Sequence, residues 1–253
     1  MFDAEKFLKT VSWLKYKENV YLNPNISSGQ KIFRYTNLSN LLLLLGAGKN
    51  YISKRNKFSD KREKGELLNK KLRFGRFYIA NETPPQILLD EWFSKDEQVN
   101  EGFHLYASCW TCKEQEDILM WRMYAADEYG VRIGTTVGTM IEAIRDQSYT
   151  LLAGRMDYGP EKSLNEVDVA LFHKTKFYQN EEEFRFYLVD GRAKEDRRDS
   201  MMLNVDPQIM IESVTLSPFM NPDIAGFIKD MLCYIFGFLQ NKVVTSEILE
   251  YRK

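Results

Sequence analysis

The sequence predicts an α+β fold: a single domain over residues 1–253 with a split or mixed β-sheet core and residues 1–28 as an N-terminal helical extension. Two observations carry this. Segments with the two-residue alternation of strands and segments with the 3.6-residue period of helices interleave irregularly, without the strict βαβα order of a doubly wound sheet. A chain of 253 residues that is 44% hydrophobic is also long enough to bury a full core, and no internal repeat or low-complexity linker divides it.

Taken in order, the first twenty residues read as an amphipathic helix with Phe2, Phe7, Leu8, Val11, Leu14 and Tyr16 roughly on one side, ended by "NPNISSGQ". "KIFRYT" is a short strand. "NLSNLLLLLGAGK" is a helix with Asn37 as N-cap and Gly46 as its stop. From Lys49 to Arg76 the chain is crowded with cations, and "PPQILLDEWFSKDEQVNEGF" is a helix and loop after a proline break. "FHLYASCW" is a strand, "DILMWRMYAAD" a helix that turns Leu119, Met120, Met123 and Tyr124 inward, and "GVRIGTTV" a strand. A helical stretch "VGTMIEAIRDQ", a strand "LLAGRMDYG" and a helical "EVDVALFHKTKFY" follow. Strands at "EEEFRFYLVD" and "IESVTLSPF" precede the apolar helix "NPDIAGFIKDMLCYIFGFLQ" and the short "KVVTSEILEYRK".

Composition excludes several classes. A net charge of −1 argues against a globally basic nucleic-acid binder but not against a local patch. Apolar runs such as Leu41 to Leu45 are too short to span a bilayer, and the N-terminus lacks an uninterrupted apolar signal segment. The expectation is a cytoplasmic protein with no membrane partner. Cys109 and Cys112 form a C-x-x-C, but the histidines, His104 and His173, stand at no zinc spacing, so no metal is expected. Because the pair ends a strand instead of opening a helix, packed or solvent-near thiols are expected. "LGAGK" follows a helix and lacks the third glycine of a dinucleotide fingerprint, and no G-x-S-x-G elbow occurs.

The chemistry gathers at "FYQNEEEFRFYL". In a strand, Glu182, Phe184, Phe186 and Leu188 share one face while Glu181, Glu183, Arg185 and Tyr187 share the other. The two same-face carboxylates would then lie roughly 6.5–7 Å apart along the strand, close enough to act on one bound molecule. A solvated edge strand whose charges block aggregation explains the same pattern. For Arg34 the competing reading is a surface or salt-bridging arginine, paired with Glu183 itself. Trp121 and Tyr124 read as core packing, His173 as structural, and Lys174 and Lys176 as anion binders. In the cationic run, Lys54, Arg55, Lys57, Lys61 and Arg62 lie near Phe58, Phe74, Phe77 and Tyr78, the mixture that single-stranded nucleic-acid grooves use. A solvated loop remains the alternative.

The ordered series "FRYTNLSNLL", "YISKRNKFSD", "SCWTCKEQEDILMWRMYAADEYGVRIGTTV", "FHKTKFYQNEEEFRF" and "VTLSPFMNP" resembles a widespread bacterial family catalogued as a domain of unknown function. That family in turn looks like the ADP-ribosyltransferase fold, including DarT-like toxins. The resemblance implies NAD as co-substrate, with Arg34 holding its phosphate or ribose oxygens beside Tyr35 and Thr36. It implies that Ser53 orients the nicotinamide ribose and that Tyr51 stacks. Glu183 would hydrogen-bond the ribose 2′-hydroxyl and stabilise the departing positive charge, and Glu181 would position or deprotonate the acceptor. The acceptor class is a macromolecule, with nucleic acid, RNA ahead of DNA, preferred over protein. A toxin or phage-defence role follows, with an antitoxin or inhibitor protein as partner, and the cationic run then serves as nucleic-acid groove, lid over NAD or inhibitor surface. A non-catalytic nucleic-acid or protein-binding module and an NAD glycohydrolase are the alternatives. On this reading, Glu183→Ala leaves folding nearly intact and abolishes transfer.

Overall fold

The computed structural model describes residues 14–54, 104–125, 129–146, 149–159, 171–190 and 200–248. Eleven strands form one mixed sheet: β1 (Leu14–Lys17), β2 (Val20–Leu22), β3 (Lys31–Asn37), β4 (Lys49–Lys54), β5 (His104–Thr111), β6 (Gly130–Thr136), β7 (Thr150–Arg155), β8 (Glu183–Asp190), β9 (Ser200–Asn204), β10 (Ser213–Leu216) and β11 (Val243–Thr245). Among the described residues, the α-helices are α1 (Leu38–Ala47), α2 (Ile118–Tyr124), α3 (Val137–Ala143), α4 (Pro207–Met210) and α5 (Pro222–Ile235). The main path runs β1-β2-β7-β8-β5-β3-β6-β10-β11. Its pairings are antiparallel except β2 with β7 and β10 with β11, which are parallel.

The sheet forks at β5. One end of β5 pairs with β4 through Ala107 and Tyr106, and β4 carries β9 on its other edge. At the opposite end β5 meets β3 through a single pair, Phe33 opposite Thr111. Strands β3 and β4 therefore diverge from a common neighbour and leave a wedge between them. The large core packs Ile32, Trp110, Ile133, Phe184, Phe186 and Leu188 of the sheet with Leu41, Val137, Met140 and Leu232 of the helices. A smaller cluster joins Tyr35 to Met120, Trp121 and Ala125.

Residues 14–22 form the β1–β2 hairpin and not the end of a helix. Asn19 takes the left-handed conformation, with φ 58°, which turns the chain tightly. Val20, Tyr21 and Leu22 are all buried because β2 also pairs with β7. The rest of the expected N-terminal helix lies outside the described residues, as does the expected helix in "PPQILLDEWFSKDEQVNEGF". Strand β9 was not anticipated.

Helix α1 is capped as expected at Asn37, whose side chain accepts from Asn40 N–H. Its stop is Gly48 and not Gly46. Gly48 has φ +62° and donates to the Leu44 carbonyl, a left-handed cap that glycine adopts without a Cβ penalty. A Cβ at Gly48 would also lie 2.8 Å from the Val205 carbonyl oxygen. Gly48→Ala is expected to cost about 1–2 kcal/mol, read as a lower denaturant midpoint with an unchanged slope.

In α2 the inward positions are Met120 and Trp121, while Leu119 and Met123 are 60% and 57% exposed. The helix is short and Asp117 caps it, so little more than one turn faces the sheet. Tyr124, expected to pack inward, stands half-exposed at a cavity.

Candidate active site

Strand β8 positions the site. It is paired on both edges, with β5 and β7, so its charged face is not a solvated sheet edge. Glu183, Arg185 and Tyr187 share that face opposite Thr111, Cys109 and Ala107 of β5. Opposite Arg185 on β7 stands Gly154, where a Cβ would come within 2.9 Å of the Phe172 ring. The missing side chain lets Phe172 lie on the sheet, edge-on to Tyr187 at 5.3 Å between centroids. The chain leaving Phe172 is held by the Lys174 N–H, which donates to the Asp157 carbonyl at 2.9 Å. Lys174 is thereby delivered to the carboxylates.

Glu181 reaches them differently from the expected strand alternation. It ends a 3₁₀ turn, Lys176–Glu181, and Glu182 follows in the left-handed region with φ 43°. This kink, not a shared strand, brings Glu181 and Glu183 to the same lysine. Lys174 Nζ donates to Glu181 Oε2 at 2.8 Å and to Glu183 Oε2 at 3.2 Å. Arg185 grips Glu183 with both arms, Nε to Oε1 at 2.6 Å and Nη2 to Oε2 at 2.8 Å. Tyr124 donates to Glu181 Oε1 at 3.0 Å.

All four charged groups are buried, at 8% exposure or less. Burial pushes the Glu183 carboxyl up, but the Arg185 charge and hydrogen bonds, with Lys174 and the Cys109 thiol, outweigh it and hold the group below the ordinary carboxylate range. Burial and then the Glu183 charge push the Cys109 thiol far up, so it stays a neutral donor to Glu183 instead of a nucleophile. Burial raises the Tyr124 hydroxyl as well, with the Glu181 charge adding to it.

These groups line a cavity of about 410 Å³, within the range of small-molecule sites. Phe33, Tyr35, Trp110, Met120, Met123, Tyr124 and Tyr178 supply its apolar and aromatic walls, and Arg34 closes another side. Arg34 fills the wedge of the forked sheet. Its Nη1 donates to Asn50 Oδ1 at 2.7 Å and Nη2 to the Tyr51 carbonyl at 2.9 Å, with Ser108 Oγ more distant at 3.4 Å. These acceptors are neutral. Burial pulls the Arg34 pKa down, and among the described residues no carboxylate pairs with it. The expected alternative of an Arg34–Glu183 ion pair is replaced by the Arg185 clamp.

The structure thus brings Arg34, Tyr35, Glu181 and Glu183 around one cavity and leaves Thr36, Tyr51 and Ser53 off its lining. The Thr36 hydroxyl accepts from Asn40 Nδ2 at 2.9 Å, supporting the start of α1. Tyr51 acts through its backbone carbonyl, and Ser53 pairs with Ala107 and Ser200 within the sheet. Lys54 closes β4 opposite Tyr106, while Arg55, Lys57, Lys61 and Arg62 lie outside the described residues. Sequence reasoning gave no site role to Arg185, Cys109 or Tyr124 and treated Lys174 as a free anion binder. Arg185 was visible in principle, two residues past Glu183 on the same face, whereas the Lys174 contacts depend on a fold-back that no spacing announces. Among the described residues, no three His, Cys, Asp or Glu side chains gather as a metal would require.

No protein-family model matches the chain, and no curated protein matches it either. Among solved structures it is similar to DarT of Thermus sp. 2.9 in complex with ADP-ribosylated ssDNA, at 8% identity and a TM-score of 0.36, over 87% of this chain and 95% of that one.

Proposed function

We propose that the protein is an NAD-dependent ADP-ribosyltransferase that works in this cavity and modifies a macromolecule, with nucleic acid, RNA ahead of DNA, as the preferred acceptor. One observation carries the reading. Lys174 and Arg185 balance Glu181 and Glu183, which leaves Arg34 as the cavity's uncompensated cation among the described residues. A partly buried guanidinium with neutral partners is matched by an anionic ligand such as a diphosphate. The aromatic walls suit flat rings, and a carboxylate in the wall suits a centre that becomes positive. In the reaction the bond between ribose C1′ and the nicotinamide nitrogen breaks, and nicotinamide departs with the bonding electrons. An acceptor oxygen or nitrogen then bonds C1′ and loses its proton to solvent or to a carboxylate. Carboxylates near C1′ stabilise the intervening oxocarbenium character. The aromatic residues within and beside the cationic run of Lys54, Arg55, Lys57, Lys61 and Arg62 support a nucleic-acid acceptor. A toxin or defence effector restrained by an antitoxin or inhibitor protein is the setting such an activity requires.

The test is incubation with NAD labelled in its ADP-ribose part and, separately, single-stranded RNA, single-stranded DNA and protein pools, with nicotinamide release followed in parallel. Label on RNA is the expected result. Release without label identifies a glycohydrolase, and no release rejects the transferase. Arg34→Gln is expected to weaken NAD binding roughly tenfold to a hundredfold, the worth of a charge-assisted hydrogen bond, measured by calorimetry on the folded variant. Unchanged affinity would reduce Arg34 to a stitch in the forked sheet. One observation favours a second reading, a binding module without turnover: Glu183 is fully engaged by its own neighbours. That reading expects NAD to bind and be recovered intact.

A further inference from the structure

We infer that Glu181, and not Glu183, is the carboxylate that touches the bound ligand, accepting a hydrogen bond from a ribose-type hydroxyl, and that Lys174 is the residue that positions it. The inference rests on the reading of the cavity as an NAD site. A carboxylate offers about four lone-pair positions. On Glu183 three of these are taken by Arg185 Nε, Arg185 Nη2 and Lys174 Nζ, with the Cys109 thiol beside the carboxylate. A ligand hydroxyl reaching Glu183 meets a group already held by three cationic donors, whose bonds a neutral hydroxyl does not replace.

Glu181 differs. Among the described residues it accepts from Tyr124 and Lys174 alone, so acceptor capacity remains on the cavity side. Its backbone is fixed, because the Thr111 hydroxyl donates to the Glu181 carbonyl at 2.6 Å. Lys174 is fixed in turn, with Nζ 4.4 Å from the centroid of the Tyr178 ring. The second carboxylate of the E-x-E therefore anchors the network, and the first faces the ligand.

Lys174 has a charge role that can be separated from packing. It stands between Glu181 and Glu183, with Tyr124 on the far side of Glu181 and Arg185, Cys109 and Tyr158 around Glu183. Removing its charge takes away one of the cations that, with Arg185, hold the Glu183 carboxyl low, so that group then protonates at higher pH. Lys174→Met should move the acidic limb of the pH profile of nicotinamide release to higher pH, and Lys174→Arg should restore it.

Two measurements on the full chain decide the assignment. Glu181→Gln is expected to lower kcat/KM for nicotinamide release about a hundredfold or more with a smaller loss of melting temperature than Glu183→Gln, since Lys174 keeps Glu183, whereas Glu183→Gln lowers the melting temperature more and reduces release less where it remains folded. The reverse order overturns the inference, as does an unmoved pH profile in Lys174→Met. Independently of turnover, carbodiimide coupling read by tandem mass spectrometry should label Glu181 faster than Glu183 in the folded wild type, with ADP-ribose protecting Glu181. Faster labelling of Glu183, or no protection of Glu181, overturns the assignment. Should the wild type release no nicotinamide, the transferase reading fails, and the labelling order with ADP-ribose protection still decides which carboxylate meets the ligand.

Discussion

Glu183→Ala is expected to lower the stability of the fold by about 3–5 kcal/mol, enough to leave much of the chain unfolded near physiological temperature. The substitution removes a buried carboxylate and leaves Arg185, 2% exposed, without the partner that grips it at 2.6 and 2.8 Å. A buried guanidinium that loses its carboxylate cannot shed its charge, so the penalty falls on folding. This corrects the sequence-based expectation that Glu183→Ala would spare the fold. The companion variant Glu183→Leu/Arg185→Met replaces the pair with apolar volume and should recover most of the loss, because desolvation of both charges is also removed. Urea unfolding of the wild type and both variants measures this, and equal midpoints for Glu183→Ala and the wild type would contradict the clamp.

The same pair sets the acid response. The folded pKa of Glu183 is depressed, so its contribution is present in full above the unfolded carboxylate value of about 4.3. It is lost as the pH falls through the lower folded value. Glu183→Gln should therefore flatten the stability profile below about pH 4.

Trp121→Ala is expected to cost about 3–5 kcal/mol by a different route. Trp121 is fully buried and stands edge-on to Tyr35 at 4.9 Å. Its Nε1 donates to Glu116 Oε2 at 2.9 Å, and the same carboxylate accepts from Ser246 Oγ at 2.7 Å and from the Glu247 N–H at 2.9 Å. Truncation opens a cavity behind a wall of the site and frees one holder of the C-terminal segment. Faster amide exchange at residues 246–248 should accompany the stability loss. Trp121→Phe keeps most of the packing but loses the Nε1 donor, and should fall between wild type and alanine.

Legibility in the sequence followed locality. The alternation in "GVRIGTTV" and "EEEFRFYLVD" located β6 and β8, and the Asn37 cap located the start of α1, because those signals depend on neighbouring residues. The N-terminal hairpin was missed because three consecutive apolar residues in β2 are buried on both sides, which erases alternation. Gly46 was preferred over Gly48 because the choice rests on backbone angle and on the proximity of Val205, neither of which is local composition. At the site, Arg34 and the two glutamates were visible as residues. Their partners were not, since Lys174 is placed by its backbone bond to Asp157 and Glu181 is brought to it by a 3₁₀ turn and a left-handed Glu182. The exposure of Tyr124 likewise depends on how little of α2 touches the sheet.

The forked sheet also bears on how the molecule assembles in time. Among the described residues only β1 and β2 pair across a tight turn, while β5 with β8, β4 with β9 and β10 with β6 join segments far apart in sequence. Each such pairing loses loop-closure entropy before its contacts reward it, so this sheet is expected to form slowly. The cavity draws Arg34 from β3, Cys109 from β5 and Glu183 from β8, strands that meet only once the fork has closed. A cavity assembled from such pairings is expected to form late in folding, and a ligand that fills it is then expected to slow unfolding far more than it changes the rate of first collapse.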